Sequence, residues 1–146
     1  MPTSSTSFDI CVLPGDGIGV DVIDATLPLL DKLQHGAPFA FNFAAHPAGA
    51  QHYQATGVAL PDATLAAARD ADAILFGAMG WPEIRYPDGT EIAPQLDLRV
   101  ALELYAGVRP ARAIPGIRLP LADPRARDID LVVVRESTEG LFASRG

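Results

Sequence analysis

Four short apolar stretches, separated by segments of a different periodicity, most constrain what this chain can fold into. The stretches are residues 8–13, 39–43, 73–76 and 131–134. Between them, apolar residues recur at helical spacing over residues 20–30, 61–71 and 96–105. Strands that alternate with helices favour a parallel sheet, so the pattern predicts an α/β fold with a largely parallel sheet flanked by helices.

Prolines and apolar runs add detail to three of these elements. Pro28 lies inside the first helical segment and is expected to kink or divide it, because proline lacks a backbone donor. The helix over residues 96–105 is expected to end at Arg109-Pro110, since the residue before a proline is pushed out of helical geometry. The unbroken apolar run 131–134 is typical of a strand that is buried on both faces.

The distribution of charge bears on the class of partner. The net charge is −7, which argues against nucleic acid as a partner. Residues 1–98 hold three basic and twelve acidic side chains, whereas residues 99–146 hold eight arginines and six acids. Arginine suits the bidentate recognition of carboxylates, so the second half either binds a small anion or presents a solvated arginine-rich surface.

A few single residues bear on compartment and chemistry. Cys11 is the only cysteine, so no intrachain disulfide can form and a reducing cytoplasm is the expected compartment. Neither a signal peptide nor a membrane segment is expected from the sequence. Cys11 is expected in the core, and Trp81 is expected to pack under its loop. Surface or structural roles are expected for His35, His46 and His52, which lack metal-ligand spacing.

The first predicted strand runs into the glycine loop PGDGIG. The dinucleotide fingerprint requires G-x-G-x-x-G, whereas Val20 stands where its last glycine belongs. The next strand ends in Ala44, Ala45 and His46, without an acid for a ribose hydroxyl. An ordinary Rossmann site is therefore not expected. The spacing of the glycines still indicates a backbone that closely approaches a ligand or a neighbouring strand.

Three arginines stand near predicted element ends. Arg99 lies on a predicted helix, Arg109 follows ten residues later, and Arg135 ends the last apolar strand. Charges at the carboxyl edge of a parallel sheet sit where such folds bind ligands. Three guanidinium groups that converge on one crevice would suit a substrate with two carboxylates.

Several motifs in order resemble one enzyme family. They are LPGDGIG, AILFGAMGWP, LRVALELYAGVRP and VVRESTEG. The chain resembles the metal-dependent β-decarboxylating dehydrogenases, which include the isocitrate, isopropylmalate and tartrate dehydrogenases. The resemblance implies oxidation of a 2-hydroxy acid with NAD or NADP and with Mg or Mn, in a homodimer, with a cofactor site that is not of the Rossmann type.

The resemblance also assigns residues. Those expected to hold the substrate carboxylates are Arg99, Arg109 and Arg135. Those expected on the nicotinamide side of the cofactor are Ile18, Thr90 and Glu91.

One catalytic position departs from the family pattern. The family has a tyrosine that donates a proton seven residues after the strand arginine, where this chain has Phe142. A phenyl ring has no hydroxyl and transfers no proton. Either another group supplies the proton, or the chain is a non-catalytic diacid-binding or regulatory subunit.

The resemblance further implies that the chain is an N-terminal portion. The family's catalytic lysine, metal-binding aspartates and adenine-binding segment would all follow residue 146. Residues 1–104 would then begin a first, dinucleotide-side domain and residues 105–146 a second, substrate and dimer domain. The chain alone is expected to be inactive, with open sheet edges that favour aggregation. A truncated product without stable function is the third hypothesis.

The residues before Arg99 bear on the substrate. Isocitrate enzymes present a serine six residues upstream, where this chain has Ala93, and isopropylmalate enzymes present apolar groups, whereas Gln95 is polar. A 2-hydroxy diacid of the tartrate, malate or isopropylmalate type is expected, and the more polar acids fit better.

Overall fold

The structure is a computed structural model that describes residues 6–136. Its helices and strands, in chain order, are β1 Thr6–Leu13, α1 Ile18–Gln34, β2 Phe39–Ala45, α2 Ala50–Thr56, α3 Asp62–Asp70, β3 Ala73–Phe76, α4 Pro94–Ala101, β4 Ala106–Arg112, a 3₁₀-helix Pro124–Asp128 and β5 Asp130–Glu136. The chain divides into two compact units, with the boundary between Leu98 and Arg99.

The first unit is built on a parallel sheet of three strands in the order β2-β1-β3. β1 is the central strand, and its last three residues, Cys11, Val12 and Leu13, are buried. Ile23 of α1 and Ala68 of α3 are also buried. This arrangement confirms the predicted α/β fold with a parallel sheet flanked by helices.

The first helix does not divide at its proline. α1 continues through Pro28, which is exposed. The carbonyl that loses its helical partner belongs to Asp24, which is also exposed, and a solvent-facing carbonyl can turn to water. Of the two expected effects of Pro28, a kink or a division, the division was therefore wrong.

The boundary between α4 and β4 differs from the prediction. α4 ends at Ala101, Glu103 has a φ of 53°, and Arg109 and Pro110 lie inside β4. The residue before a proline prefers extended geometry, which a strand satisfies as well as a helix end does. β4 pairs only with β5 among the described residues, and proline is tolerated in such an edge strand.

The second unit contains a two-stranded antiparallel ribbon of β4 and β5, in which Arg109 lies opposite Val133 and Gly107 opposite Arg135. The predicted burial of residues 131–134 was wrong, because their exposed fractions lie between 47% and 65%. An unbroken apolar run does not indicate which other elements will cover the strand. Within the described residues of this unit, neither face of the ribbon is covered.

The single cysteine gives a simple check of the core. Cys11 is 2% exposed, and burial raises the pKa of its thiol. Since the thiolate is the reactive form, we expect an aromatic disulfide reagent to leave the native thiol unmodified and to label it fully in denaturant. Rapid labelling without denaturant, followed at the absorbance of the released thiol, would contradict this packing of β1.

Candidate functional site: two loops and an arginine ribbon

The glycine loop packs against the segment that follows β3. Gly77 donates its N–H to the Leu13 carbonyl at 2.8 Å, and Asp16 donates its N–H to the Ala78 carbonyl at 2.8 Å. A β-carbon at Gly77 would overlap the Pro14 carbonyl oxygen, and one at Gly19 would lie 2.7 Å from the Ala78 nitrogen. The glycines therefore allow two backbones to meet, which is the neighbouring-strand alternative of the sequence prediction.

Asp16 anchors this loop from inside the protein. Asp16 is buried, with 3% of its surface exposed. Oδ2 accepts the N–H groups of Ala50 and Gly80, both at 2.8 Å, and Oδ1 accepts that of Gln51 at 2.9 Å. The carboxylate thus joins the glycine loop to the start of α2 and to the segment after β3. Its negative charge is also favourable at the amino end of a helix.

Trp81 lies beside the glycine loop. Its ring carbon Cζ3 is 3.2 Å from the place that a β-carbon on Gly17 would occupy. The indole packs against a core cluster that includes Ile92, Ala50 and Ala59, which confirms its predicted packing role. Ile18, next along the chain, is 67% exposed at the start of α1 and presents an apolar side chain at the sheet edge.

Thr90 and Glu91 lie in a tight turn. Asp88 Oδ1 accepts the Thr90 N–H at 2.8 Å, and the Thr90 carbonyl accepts the Tyr86 N–H at 3.0 Å. The hydrogen bonds from Thr90 lower the pKa of Asp88. Glu91 pairs with Arg85 in a single antiparallel bridge, and its Oε1 is 3.8 Å from the β-carbon position at Gly80.

The Gly80–Trp81 segment therefore adjoins both groups of predicted cofactor residues. Trp81 reaches the glycine loop that precedes Ile18, and Gly80 lies close to the Glu91 carboxylate. The described residues thus bring the two predicted cofactor loops to one region of the first unit. The exposure of Ile18 and of the Thr90–Glu91 turn leaves their side chains accessible to a ligand.

Arg109 and Arg135 lie on the same face of the β4–β5 ribbon. Residues directly opposite each other in an antiparallel pair share a face, and so do residues two apart on one strand. Arg135 is opposite Gly107, and Arg109 is two residues from Gly107. The two arginines are therefore diagonal neighbours across the two strands, with Cα atoms roughly 7–8 Å apart. Arg109 is exposed and Arg135 is half-buried.

The opposite face of the ribbon holds a different arginine arrangement. Arg112 lies directly across from Asp130, and its Nη2 is 2.7 Å from Asp130 Oδ2. This ion pair neutralises Arg112, whereas the Arg109 face has apolar residues beside its cations. The apolar residues of that face are Ala111, Leu131 and Val133.

The third predicted arginine lies on another element. Arg99 is half-buried on α4, and Gln95 lies one helical turn before it. The Oε1 atom of Gln95 is buried and accepts no hydrogen bond from the described residues. Phe142, the substitute for the family tyrosine, lies outside the described residues.

The structure adds Asp16, which the sequence prediction did not include. An acid between two glycines at a strand end was the available signal, but its partners are 34 to 64 residues away.

Within residues 6–136, no group of three or more His, Cys, Asp or Glu side chains could hold a metal ion. No helix of that range is long and apolar enough to span a bilayer.

Comparison with known proteins identifies the family. The sequence model described as isocitrate/isopropylmalate dehydrogenase matches residues 9–145. The 3-isopropylmalate dehydrogenase of Rhodococcus opacus (strain B4) is 44% identical over 137 residues, which are 94% of this chain and 39% of that protein. The 3-isopropylmalate dehydrogenase of Thermobifida fusca is 40% identical over 144 residues, which are 98% of this chain and 40% of that protein.

Solved structures agree with the sequence comparison. The isocitrate dehydrogenase from Methylococcus capsulatus superposes with a TM-score of 0.71 at 33% identity, over 94% of this chain and 37% of that one. A beta-decarboxylating dehydrogenase from Thermococcus kodakarensis gives 0.66 at 33% identity, over 91% and 35%. The chain spans about two fifths of the length of the curated relatives it matches. It belongs to the isocitrate/isopropylmalate dehydrogenase family.

Proposed function

We propose that the chain supplies the substrate-carboxylate arginines and part of the cofactor side of a β-decarboxylating dehydrogenase. The enzyme would oxidise a 2-hydroxy dicarboxylic acid with NAD or NADP and with Mg or Mn, as a homodimer. The observation that carries the proposal is the placement of Arg109 and Arg135 on one face of the β4–β5 ribbon.

The charge and surroundings of this face suit a dianion. A guanidinium group carries its N–H donors in a planar fork, which matches the geometry of a carboxylate. Leu131 and Val133 lie on the same face and add no acid there that would compete with the substrate carboxylates. Arg99 would add a third cation from α4, as the family resemblance implies.

The first unit would contribute the cofactor residues. Ile18, Thr90 and Glu91 would hold the nicotinamide side of the cofactor. A bound nicotinamide would supply the hydride acceptor for oxidation of the hydroxyl-bearing carbon. The space beside the glycines of the loop is occupied by the Ala78 backbone and the Trp81 ring. The proposed contacts to the cofactor are therefore made by the side chains of Ile18, Thr90 and Glu91.

No Mg or Mn ligand is assigned within residues 6–136, where no group of three or more His, Cys, Asp or Glu side chains could hold a metal ion. What these residues do is bind and orient: the arginines fix the carboxylates, and the loops of the first unit fix the cofactor.

Two substrate types remain distinct within the proposal. The curated relatives are 3-isopropylmalate dehydrogenases, which favours an acid with an apolar branch. The polar Gln95, four residues before Arg99, favours an acid with a further hydroxyl, such as tartrate. Parallel titrations with 3-isopropylmalate, malate and tartrate would separate the two.

The test is dicarboxylate binding to the arginine face. We expect Arg109→Ala and Arg135→Ala each to weaken binding of the preferred acid about 10- to 100-fold, the loss of one charge-assisted hydrogen-bonded pair. Isothermal titration calorimetry measures the effect. Arg112→Ala is the matched control, because Arg112 lies on the same strand but on the opposite face, in an exposed ion pair of small energetic value.

The outcomes separate the proposal from its alternative. Equal affinity in Arg109→Ala and Arg112→Ala would refute the assigned face. A second outcome would favour the alternative of a diacid-binding or regulatory subunit, which Phe142 motivates. In that case a protein as long as the curated relatives would bind the diacid saturably, but NADH absorbance would not rise when cofactor and Mg²⁺ or Mn²⁺ are added.

A further inference from the structure

A cavity at the carboxyl ends of β1 and β2 contains two histidines. Its volume is about 410 Å³, and its lining includes Pro14 and Gly15 of the glycine loop, Pro47, His46 and His52. The cavity lies at the edge of a parallel sheet where folds of this class bind ligands. The residues proposed for the substrate and for the cofactor do not line this cavity.

The backbone holds both histidines in defined places. His46 follows β2 directly, and its N–H donates to the Val12 carbonyl at 2.9 Å. His52 lies in α2, whose first two N–H groups, those of Ala50 and Gln51, donate to the buried Asp16 carboxylate. Both histidines therefore stand on anchored segments, which is what a ligand site requires of its supporting residues.

The imidazoles have no partner within the part of the chain that the structure describes. No hydrogen bond or ion pair from residues 6–136 engages the side chain of His46 or His52, although both residues are half-buried. An imidazole nitrogen that accepts no hydrogen bond has its lone pair available for a metal ion.

The charge of the surroundings decides between an anionic and a cationic ligand. Residues 1–98 hold three basic and twelve acidic side chains, so the field over this unit attracts cations. The lining contains no lysine or arginine that would bind a phosphate or a carboxylate. Both the lining residues and the surrounding negative charge therefore favour a cation as the ligand.

We propose that this His46–His52 cavity binds a divalent transition-metal ion, such as Cu²⁺, Ni²⁺ or Zn²⁺, through one nitrogen of each imidazole, with water in the other coordination positions. Imidazole suits these metals, whereas Mg²⁺ and Mn²⁺ favour oxygen ligands. The site is thus distinct from the Mg or Mn of the proposed reaction. Two protein ligands make it an open site, unlike the four-ligand sites that stabilise small folds.

The chain provides a matched control for the test, because it has three histidines and the third, His35, lies at the end of α1 outside the cavity. We expect calorimetric titration with Ni²⁺ to give a single binding event per chain. His46→Gln and His52→Gln should each weaken it at least about tenfold, the loss of one of two ligands, while His35→Gln leaves it unchanged. Millimolar Mg²⁺ should not compete.

Two results would overturn the proposal. One is Ni²⁺ affinity that is the same in the wild type and in both cavity variants. The other is an equal loss in His35→Gln, which would indicate binding by scattered surface histidines. If a cavity variant does not fold, as judged by far-ultraviolet circular dichroism, paramagnetic broadening of wild-type amide resonances by Cu²⁺ decides: broadening must be centred on residues 45–53 and leave those around His35 intact.

Discussion

Asp16→Ala is expected to lower the free energy of unfolding of the first unit by about 4 kcal/mol. The substitution leaves three backbone N–H groups, those of Ala50, Gln51 and Gly80, without their acceptor, and each unsatisfied buried donor costs about 1–3 kcal/mol. It also removes the negative charge at the start of α2. Urea denaturation followed by the fluorescence of Trp81, the only tryptophan, measures the change within this unit.

Two further variants make this prediction specific. Asp16→Asn keeps the volume and one acceptor oxygen but turns an amide NH₂ toward a backbone N–H, so we expect a loss of about 2 kcal/mol. Asp24→Asn changes an exposed aspartate of α1 and should alter stability by less than about 0.5 kcal/mol. A loss of less than 1 kcal/mol in Asp16→Ala, on the order of a surface substitution, would contradict the anchoring role.

The elements that could be predicted from the sequence are those whose signals are local. The apolar run that contains Cys11 and the helical spacing around Ile23 each lie within one element, and both were found where predicted. The Asp88-Gly89 turn is likewise encoded by adjacent residues. Local periodicity and turn chemistry do not depend on what the rest of the chain does, so they are reliable in isolation.

The features that sequence reasoning missed depend on distant partners. β4 contains Pro110 and few β-branched residues, and it becomes a strand because it pairs with β5 some twenty residues later. Tertiary pairing there overrides a weak local preference. The burial of residues 131–134 failed for a related reason, since an apolar run cannot indicate which surfaces are present to cover it.

The candidate site divides along the same line. The pattern of arginines predicted a dicarboxylate site, but only the register of β4 against β5 places Arg109 and Arg135 on one face and Arg112 on the other. The role of Asp16 follows from three contacts at long sequence separation. The residue types indicate which chemistry is available, and the pairing of the strands decides which residues lie together on one face.

Gly77→Ala is the second variant for which we expect a large effect, a loss of about 3 kcal/mol or more in the free energy of unfolding. The new β-carbon would overlap the Pro14 carbonyl oxygen, which is backbone and has no rotamer through which to move away. Gly77 itself is held by the hydrogen bond from its N–H to the Leu13 carbonyl. Relief therefore requires separating the glycine loop from the segment that follows β3.

Comparison with two other glycines distinguishes this clash from a general cost of replacing glycine. Gly36→Ala introduces a β-carbon with no atom within 4 Å at a φ of +83°, and should cost only the left-handed backbone penalty of about 1–2 kcal/mol. Gly19→Ala lies within α1, where alanine improves helix propensity by about 1 kcal/mol, yet its β-carbon would meet the Ala78 backbone. A net loss in Gly19→Ala, together with a larger loss in Gly77→Ala than in Gly36→Ala, would establish that backbone contact between the two loops stabilises the edge that presents Ile18. Equal losses at Gly77 and Gly36 would show that the loops can separate at little cost.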